Sequence, residues 1–154
     1  MNALGRDALA PLRDAMAEWA MQWYPRECCG LIVERGGALE SWPCDNLQDK
    51  LHAIDPELYS RSAVTAYNFD PRVFQRVSEA GGSVRAIFHS HTDRGTALGA
   101  YFSDEDILDA LGGDLDGDPI LPGMDYVVLS ARVGGVDDMK LFRWDEQTRR
   151  FVEV

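Results

Sequence analysis

The chain has 154 residues, of which 45% are hydrophobic and 27% charged, with a formal net charge of −11 at pH 7. That length suits one domain, residues 1–154, with interior enough for a core, and the acidic balance argues against a nucleic-acid partner, which calls for a basic patch. No apolar run reaches the roughly 18 residues of a membrane span, and Arg6, Asp7, Arg13, Asp14 and Glu18 interrupt the N-terminal apolar stretches, so neither membrane nor secretion signal is expected and a cytoplasmic location follows. The three cysteines, Cys28, Cys29 and Cys44, include no Cys-x-x-Cys pair, which fits a reducing compartment and the role of small buried hydrophobes.

In chain order, Leu9, Leu12, Met16, Ala17, Ala20 and Trp23 recur at helical spacing and predict one helix over 3–23, stopped by Pro25. Residues 27–34 read as a strand and 38–43 as its hairpin partner across Gly36-Gly37. Residues 46–56 read as loop or short strand, 56–60 as a helical turn, and 63–68 carry no clear signal. Asp70 as N-cap and Pro71 at the first position predict a helix to Ala80, ended by Gly81-Gly82. A strand follows over 83–89, a glycine-containing loop over 92–102, and a helix over 103–111 closed by Gly112-Gly113. Strands are expected over 125–133 and 138–144, with a last short one over 150–154. Such an order implies an α+β fold with a mixed central sheet flanked by helices.

Chemistry concentrates in His89-Ser90-His91 and in Ser103 and Asp106, which lie beyond an intervening eleven residues. Strand residues two apart share a face, so His89 and His91 project together and Ser90 faces away. Ser103 and Asp106, three apart, share the first-turn face of the following helix. Two imidazoles and a carboxylate suit an open zinc site. The competing reading makes Ser103 an N-cap with Asp106 completing a capping box; both roles are compatible only if the Asp106 side chain turns away from the helix backbone. The acidic run Asp114-Leu115-Asp116-Gly117-Asp118 lacks the glycine and terminal glutamate of a calcium loop and reads as a solvated loop. His52 has no partner in sequence and is expected at the surface.

The His-x-His and Ser-x-x-Asp pattern resembles the JAMM motif of the MPN/JAB1 metallopeptidases. Tyr24-Pro25-Arg26-Glu27-Cys28-Cys29-Gly30-Leu31 is similar to the segment in which that family carries its catalytic glutamate. The likeness is strongest to small bacterial members that process sulfur carriers and to the JAB domains of phage tail K-type proteins. It implies a cytidine-deaminase-like α-β-α layering. It also implies that His89, His91 and Asp106 hold Zn2+ with one position left open. Glu27 would act as general base and then acid, and Ser103 would donate to the oxyanion. Two departures stand out: Thr92 replaces the proline common after the second histidine, and the segment before Ser103 is longer than usual. A loop absorbs extra residues at little cost, so the departures bear on specificity more than on metal binding, and the 92–100 loop is expected to border the active-site groove.

The resemblance implies hydrolysis of an amide or isopeptide bond at the C-terminal tail of a ubiquitin-like or β-grasp sulfur-carrier protein. The alternatives are a peptidase on phage-tail or cell-wall peptides and a non-catalytic MPN-type scaffold. K-type proteins commonly continue into a second hydrolase domain, and the end at Val154 favours the sulfur-carrier reading; scaffold members commonly lose metal ligands, and here all are present.

Overall fold

The computed structural model describes residues 3–95 and 98–154. Six strands form one mixed sheet: β1 (Cys29–Arg35), β2 (Ala38–Cys44), β3 (Ser83–Thr92), β4 (Asp125–Arg132), β5 (Gly135–Asp145) and β6 (Arg150–Glu153). Their spatial order is β2-β1-β3-β4-β5-β6. Only β3 and β4 run parallel; the other neighbours pair antiparallel. The β1–β2 hairpin turns on Gly36 and Gly37, both left-handed at φ 60° and 79°, a conformation that costs glycine least.

Alternation along the strands gives the sheet two buried faces. Ile32, Ala86, Phe88, Val127 and Leu129 point to one side and pack against Leu9, Met16 and Ala20. Leu31, Val33, Ile87, Tyr126 and Val128 point to the other and pack against Val73, Val77 and Ala110. Helices thus cover both faces of the sheet, which is the α+β layering that the sequence resemblance implies. Gly30 has a packing reason for being glycine: a Cβ there would sit 2.3 Å from the Phe88 ring and 2.7 Å from the Trp42 carbonyl oxygen.

The first helical segment is not one regular helix. It comprises α1 (Arg6–Leu9), a 3-10 turn (Ala10–Leu12) and α2 (Arg13–Trp23). Pro11 lacks the N–H that an α-helical ladder needs, and the chain tightens around it. The 46–56 segment is a correction: it forms helix α3 (Gln48–Ile54), not loop or strand. Its anchors are distant in sequence and leave no periodic trace. The Asp49 carboxylate accepts from the Ala63 N–H, and the Gln48 amide donates to the Arg61 carbonyl. Helix α4 (Val73–Glu79) starts later than expected, because Asp70 caps the turn ahead of it, accepting from the Arg72 N–H. Helix α5 (Asp104–Ala110) crosses from β3 towards β4. His52 is half-buried, its Nδ1 2.6 Å from the Tyr59 carbonyl, and not at the open surface.

Candidate metal centre

His89 and His91 share the β3 face that carries Ile87, while Ser90 faces the opposite side, where its hydroxyl accepts from the Cys28 N–H at 2.8 Å. β3 extends past His91 to Thr92, so both imidazoles are fixed by the paired ladder with β4. Their side chains are 0% and 2% exposed. The two Nε2 atoms lie 3.2 Å apart. Asp106, from the first turn of α5, meets both: Oδ1 lies 3.1 Å from His89 Nε2 and Oδ2 3.1 Å from His91 Nε2.

The Asp106 side chain does not turn away from the helix backbone, contrary to the condition set by the sequence. The Ser103 hydroxyl accepts from the Asp106 N–H at 3.1 Å, and Asp106 Oδ2 accepts from the Ser103 N–H at 3.0 Å. A carboxylate has lone pairs enough for both duties, so the capping box aims the carboxylate at the imidazoles.

Hydrogen bonding decides what this cluster needs. His91 Nδ1 lies 2.9 Å from the Gly99 carbonyl, which can only accept, so Nδ1 carries a proton, and a ring with no second proton presents the Nε2 lone pair. That lone pair faces a carboxylate oxygen and a second imidazole nitrogen at close range. Only a proton or a cation between them relieves the opposition. All the candidate ligand atoms fall within 4.8 Å of one another. Two imidazoles and one carboxylate form a donor set suited to a divalent cation, zinc among them. The Nδ1–carbonyl bond is the outer-shell support that metal-binding histidines commonly have. His89 is held differently, its ring stacked on Tyr67 with centroids 4.5 Å apart.

Glu27 precedes β1. The Cys29–His89 pairing, continued by the Ser90 N–H donating to the Cys28 carbonyl, sets Glu27 opposite His91. Glu27 is 4% exposed and lines one pocket with His91, Ser103 and Asp106. Burial pushes its carboxyl well above the usual range, the negative charge of Asp106 adds to this, and the Arg61 guanidinium offsets part of it. Burial also pushes the Asp106 carboxyl up, but the charge and hydrogen bonds of His89 and His91 reverse this and hold it well below the usual range. One pocket therefore holds two carboxyls with opposed proton affinities.

The sequence did not point to several supporting residues. Asn46 is buried and uses its whole amide: Nδ2 donates to the Glu27 and Ala66 carbonyls, and Oδ1 accepts from the Gln48 and Asn68 N–H groups. Gly99, in the lengthened loop, supplies the His91 partner, and Tyr101 sets its ring edge-on to His91. Thr96 and Ala97 of that loop lie outside the described residues. Burial raises the thiols away from the thiolate form a nucleophile needs, Cys28 to about 12, Cys44 to about 11 and Cys29 further.

Residues 9–145 match the family described as prokaryotic homologs of the JAB domain. The chain belongs to that family. It is 31% identical over 83 residues to the tail tip assembly protein K of Escherichia phage N15, a match covering 54% of this chain and 29% of that protein. The chain therefore spans less than a third of that curated relative. Among solved structures it resembles a Desulfitobacterium hafniense protein at 21% identity and a TM-score of 0.58, over 94% of this chain and 86% of that one. A Salinibacter ruber protein matches at 17% identity and a TM-score of 0.55, over 99% and 88% of the two chains. These two likenesses are of fold. Among the described residues of this JAB-domain chain, no helix is long and apolar enough to cross a membrane.

Proposed function

We propose that this protein is a metal-dependent amide hydrolase, with zinc as the cation. The observation that carries the reading is the meeting of His89, His91 and Asp106 around buried, mutually facing polar atoms, at the pocket that Glu27 and Ser103 line together with His91 and Asp106. Burying such groups without a compensating charge is costly, and a divalent cation supplies that charge.

When bound, such a cation supplies Lewis acidity, which polarises a carbonyl and makes water acidic enough to serve as nucleophile near neutral pH. Glu27, desolvated and of raised proton affinity, takes the proton from the attacking water. The water oxygen adds to the amide carbon, and the Ser103 hydroxyl, whose oxygen already accepts from the Asp106 N–H, donates a hydrogen bond to the developing oxyanion. The C–N bond then breaks, and Glu27 returns its proton to the departing amine. A carboxylate and an amine leave; no oxidant or other co-reactant is required.

The substrate proposed is an extended C-terminal tail of a ubiquitin-like or sulfur-carrier protein. A second reading, hydrolysis of a peptide in phage tail assembly or the cell wall, draws support from the identity with the tail tip assembly protein K. Glu27→Gln separates catalysis from metal binding: the variant retains metal by elemental analysis and loses hydrolysis of tail-peptide conjugates. Unchanged turnover would remove Glu27 from the proton-transfer role, and a wild-type chain that holds no divalent metal after reconstitution would overturn the hydrolase reading.

A further inference from the structure

His89-Ser90-His91-Thr92 closes β3, and its side chains alternate between the two sides of the strand. His89 and His91 meet Asp106. Ser90 and Thr92 point the other way, 0% and 1% exposed, and each sets its hydroxyl on the segment that leads into β1. The Ser90 hydroxyl accepts from the Cys28 N–H at 2.8 Å, and the Thr92 hydroxyl donates to the Pro25 carbonyl at 3.0 Å. Glu27 lies between these attachments.

Residues 25–27 stand ahead of β1 and outside its ladder with β3, so the regular sheet does not fix how Glu27 is presented. The Glu27 N–H donates to the Ala63 carbonyl and its carbonyl accepts from Asn46, which ties it to the loops in front. The hydroxyls, with the Ser90 N–H on the Cys28 carbonyl, tie it to the strand that carries the imidazoles. The Ser90 contacts continue the pairing of the sheet. The Thr92 side chain reaches further back along the segment than that pairing does. Thr92 is itself fixed, opposite Ala131 in the ladder with β4 and with its carbonyl accepting from the Gly95 N–H. Beside it the Tyr24 hydroxyl donates to the Asp93 carboxylate, so Thr92 and Asp93 grip Pro25 and Tyr24 in turn.

We propose that Thr92 is a positioning residue: its hydroxyl, acting through the Pro25 carbonyl and with Ser90 at the other end, sets the reach of the Glu27 carboxyl towards His91. This rests on the amide-hydrolase reading above. A general base acts only within hydrogen-bond reach of the proton it takes, and a misplacement of about 1 Å can cost on the order of a hundredfold in rate. One strand end therefore registers the imidazoles on its front and the proton carrier on its back. If Thr92 only filled space, valine, of the same shape, would serve as well as threonine, and the smaller serine would serve worse.

The test compares Thr92→Val, which keeps the shape and loses the hydroxyl, with Thr92→Ser, which keeps the hydroxyl and loses a methyl. Amide hydrogen exchange is read first by NMR, on metal-free and zinc-loaded protein, and needs no turnover. In Thr92→Val the Glu27 and Cys28 N–H groups are expected to exchange about fivefold faster, as loss of one hydrogen bond allows. Those of Val127 and Val128 in β4 should keep their rates, and Thr92→Ser should restore the wild-type pattern. Hydrolysis of acetyl-Leu-Gly-Gly-para-nitroanilide is read second. Zinc content and KM should hold in Thr92→Val while kcat falls by about the same factor, and kcat should return in Thr92→Ser. Unchanged exchange at Glu27 and Cys28, equal acceleration at every amide, or a serine variant no better than valine would overturn the assignment. So would an unchanged kcat in Thr92→Val beside a wild type that turns over. A zinc-loaded wild type that leaves the anilide intact, with the exchange pattern as expected, marks failure of the hydrolase reading and not of the grip on Pro25.

Discussion

Phe88 and His89 are consecutive residues of β3, both 0% exposed, and they face opposite layers of the molecule. Phe88 fills the side covered by α2, where the space over Gly30 leaves no room for a Cβ. His89 fills the other side, against Tyr67, His91 and Asp106. Around Phe88 the packing is apolar and closed by shape; around His89 the same sheet carries a polar cluster set beside a second apolar layer. The strand's alternation lets stability and chemistry be carried one residue apart, so lesions on the two faces should have different signatures.

The largest effect is expected on the apolar face. Phe88→Ala should destabilise the fold by about 3–5 kcal/mol, the usual range for emptying a fully buried aromatic site, measured by urea denaturation of metal-free protein. The lesion should leave the metal stoichiometry of the folded fraction unchanged. Loss of metal in that fraction would mean that the two faces are not independent.

On the polar face, His91→Ala should act through the ligand. At free zinc a thousand times the dissociation constant, binding stabilises the folded wild type by about 4 kcal/mol. The variant should lose most of that zinc-dependent gain. Without metal, the same change should cost less, because only the contacts of His91 with Asp106 and His89 are lost. Melting curves with zinc and with chelator check both parts. A variant that melts low under both conditions would assign His91 to packing alone.

Asn46 sharpens the comparison, because it is a structural residue on the chemical side. Its amide holds the Glu27 carbonyl to the segment carrying Ala66 and Asn68. Asn46→Ala strands several buried backbone groups and should cost about 1–3 kcal/mol for each group that water cannot reach. Activity should fall further than the fraction unfolded, since Glu27 loses its anchor. Activity that merely tracks stability would make Asn46 scaffolding with no bearing on the site.

How legible these regions were in the sequence follows from the range of their interactions. His89, His91, Ser103 and Asp106 were found because strand and helix periods are local: a spacing of two places the imidazoles together, and a spacing of three places the hydroxyl beside the carboxylate. Even there, the capping box and the carboxylate–imidazole contacts looked compatible only with Asp106 turned away from the helix backbone, and the structure uses its side chain for both without that turn. Helix α3 was missed because its hold on the fold is polar and distant, through Asp49 to Ala63 and Gln48 to Arg61. Arg61, Asn46 and Gly99 gave no signal for the same reason: each is defined by what it reaches across loops, and no spacing records that.

Glu27 gives the final expectation, a slope with pH and not a step. Burial and the charge of Asp106 place its folded-state pKa well above the ordinary carboxylate value of 4.5. A raised carboxyl pKa means that the folded chain binds this proton more tightly than the unfolded chain. The protonated form contributes fully below pH 4.5, and the contribution is lost as pH rises through the folded value. Glutamine, a neutral side chain of similar size, cannot lose it. The advantage of Glu27→Gln over wild type in metal-free protein should therefore be least near pH 4, grow as pH rises, and level off above the folded pKa. Urea midpoints of the two proteins across that range read the slope directly. Parallel profiles would show that Glu27 is solvated and ordinary, and the pocket would then lack the proton carrier that sets its chemistry apart from the apolar face behind it.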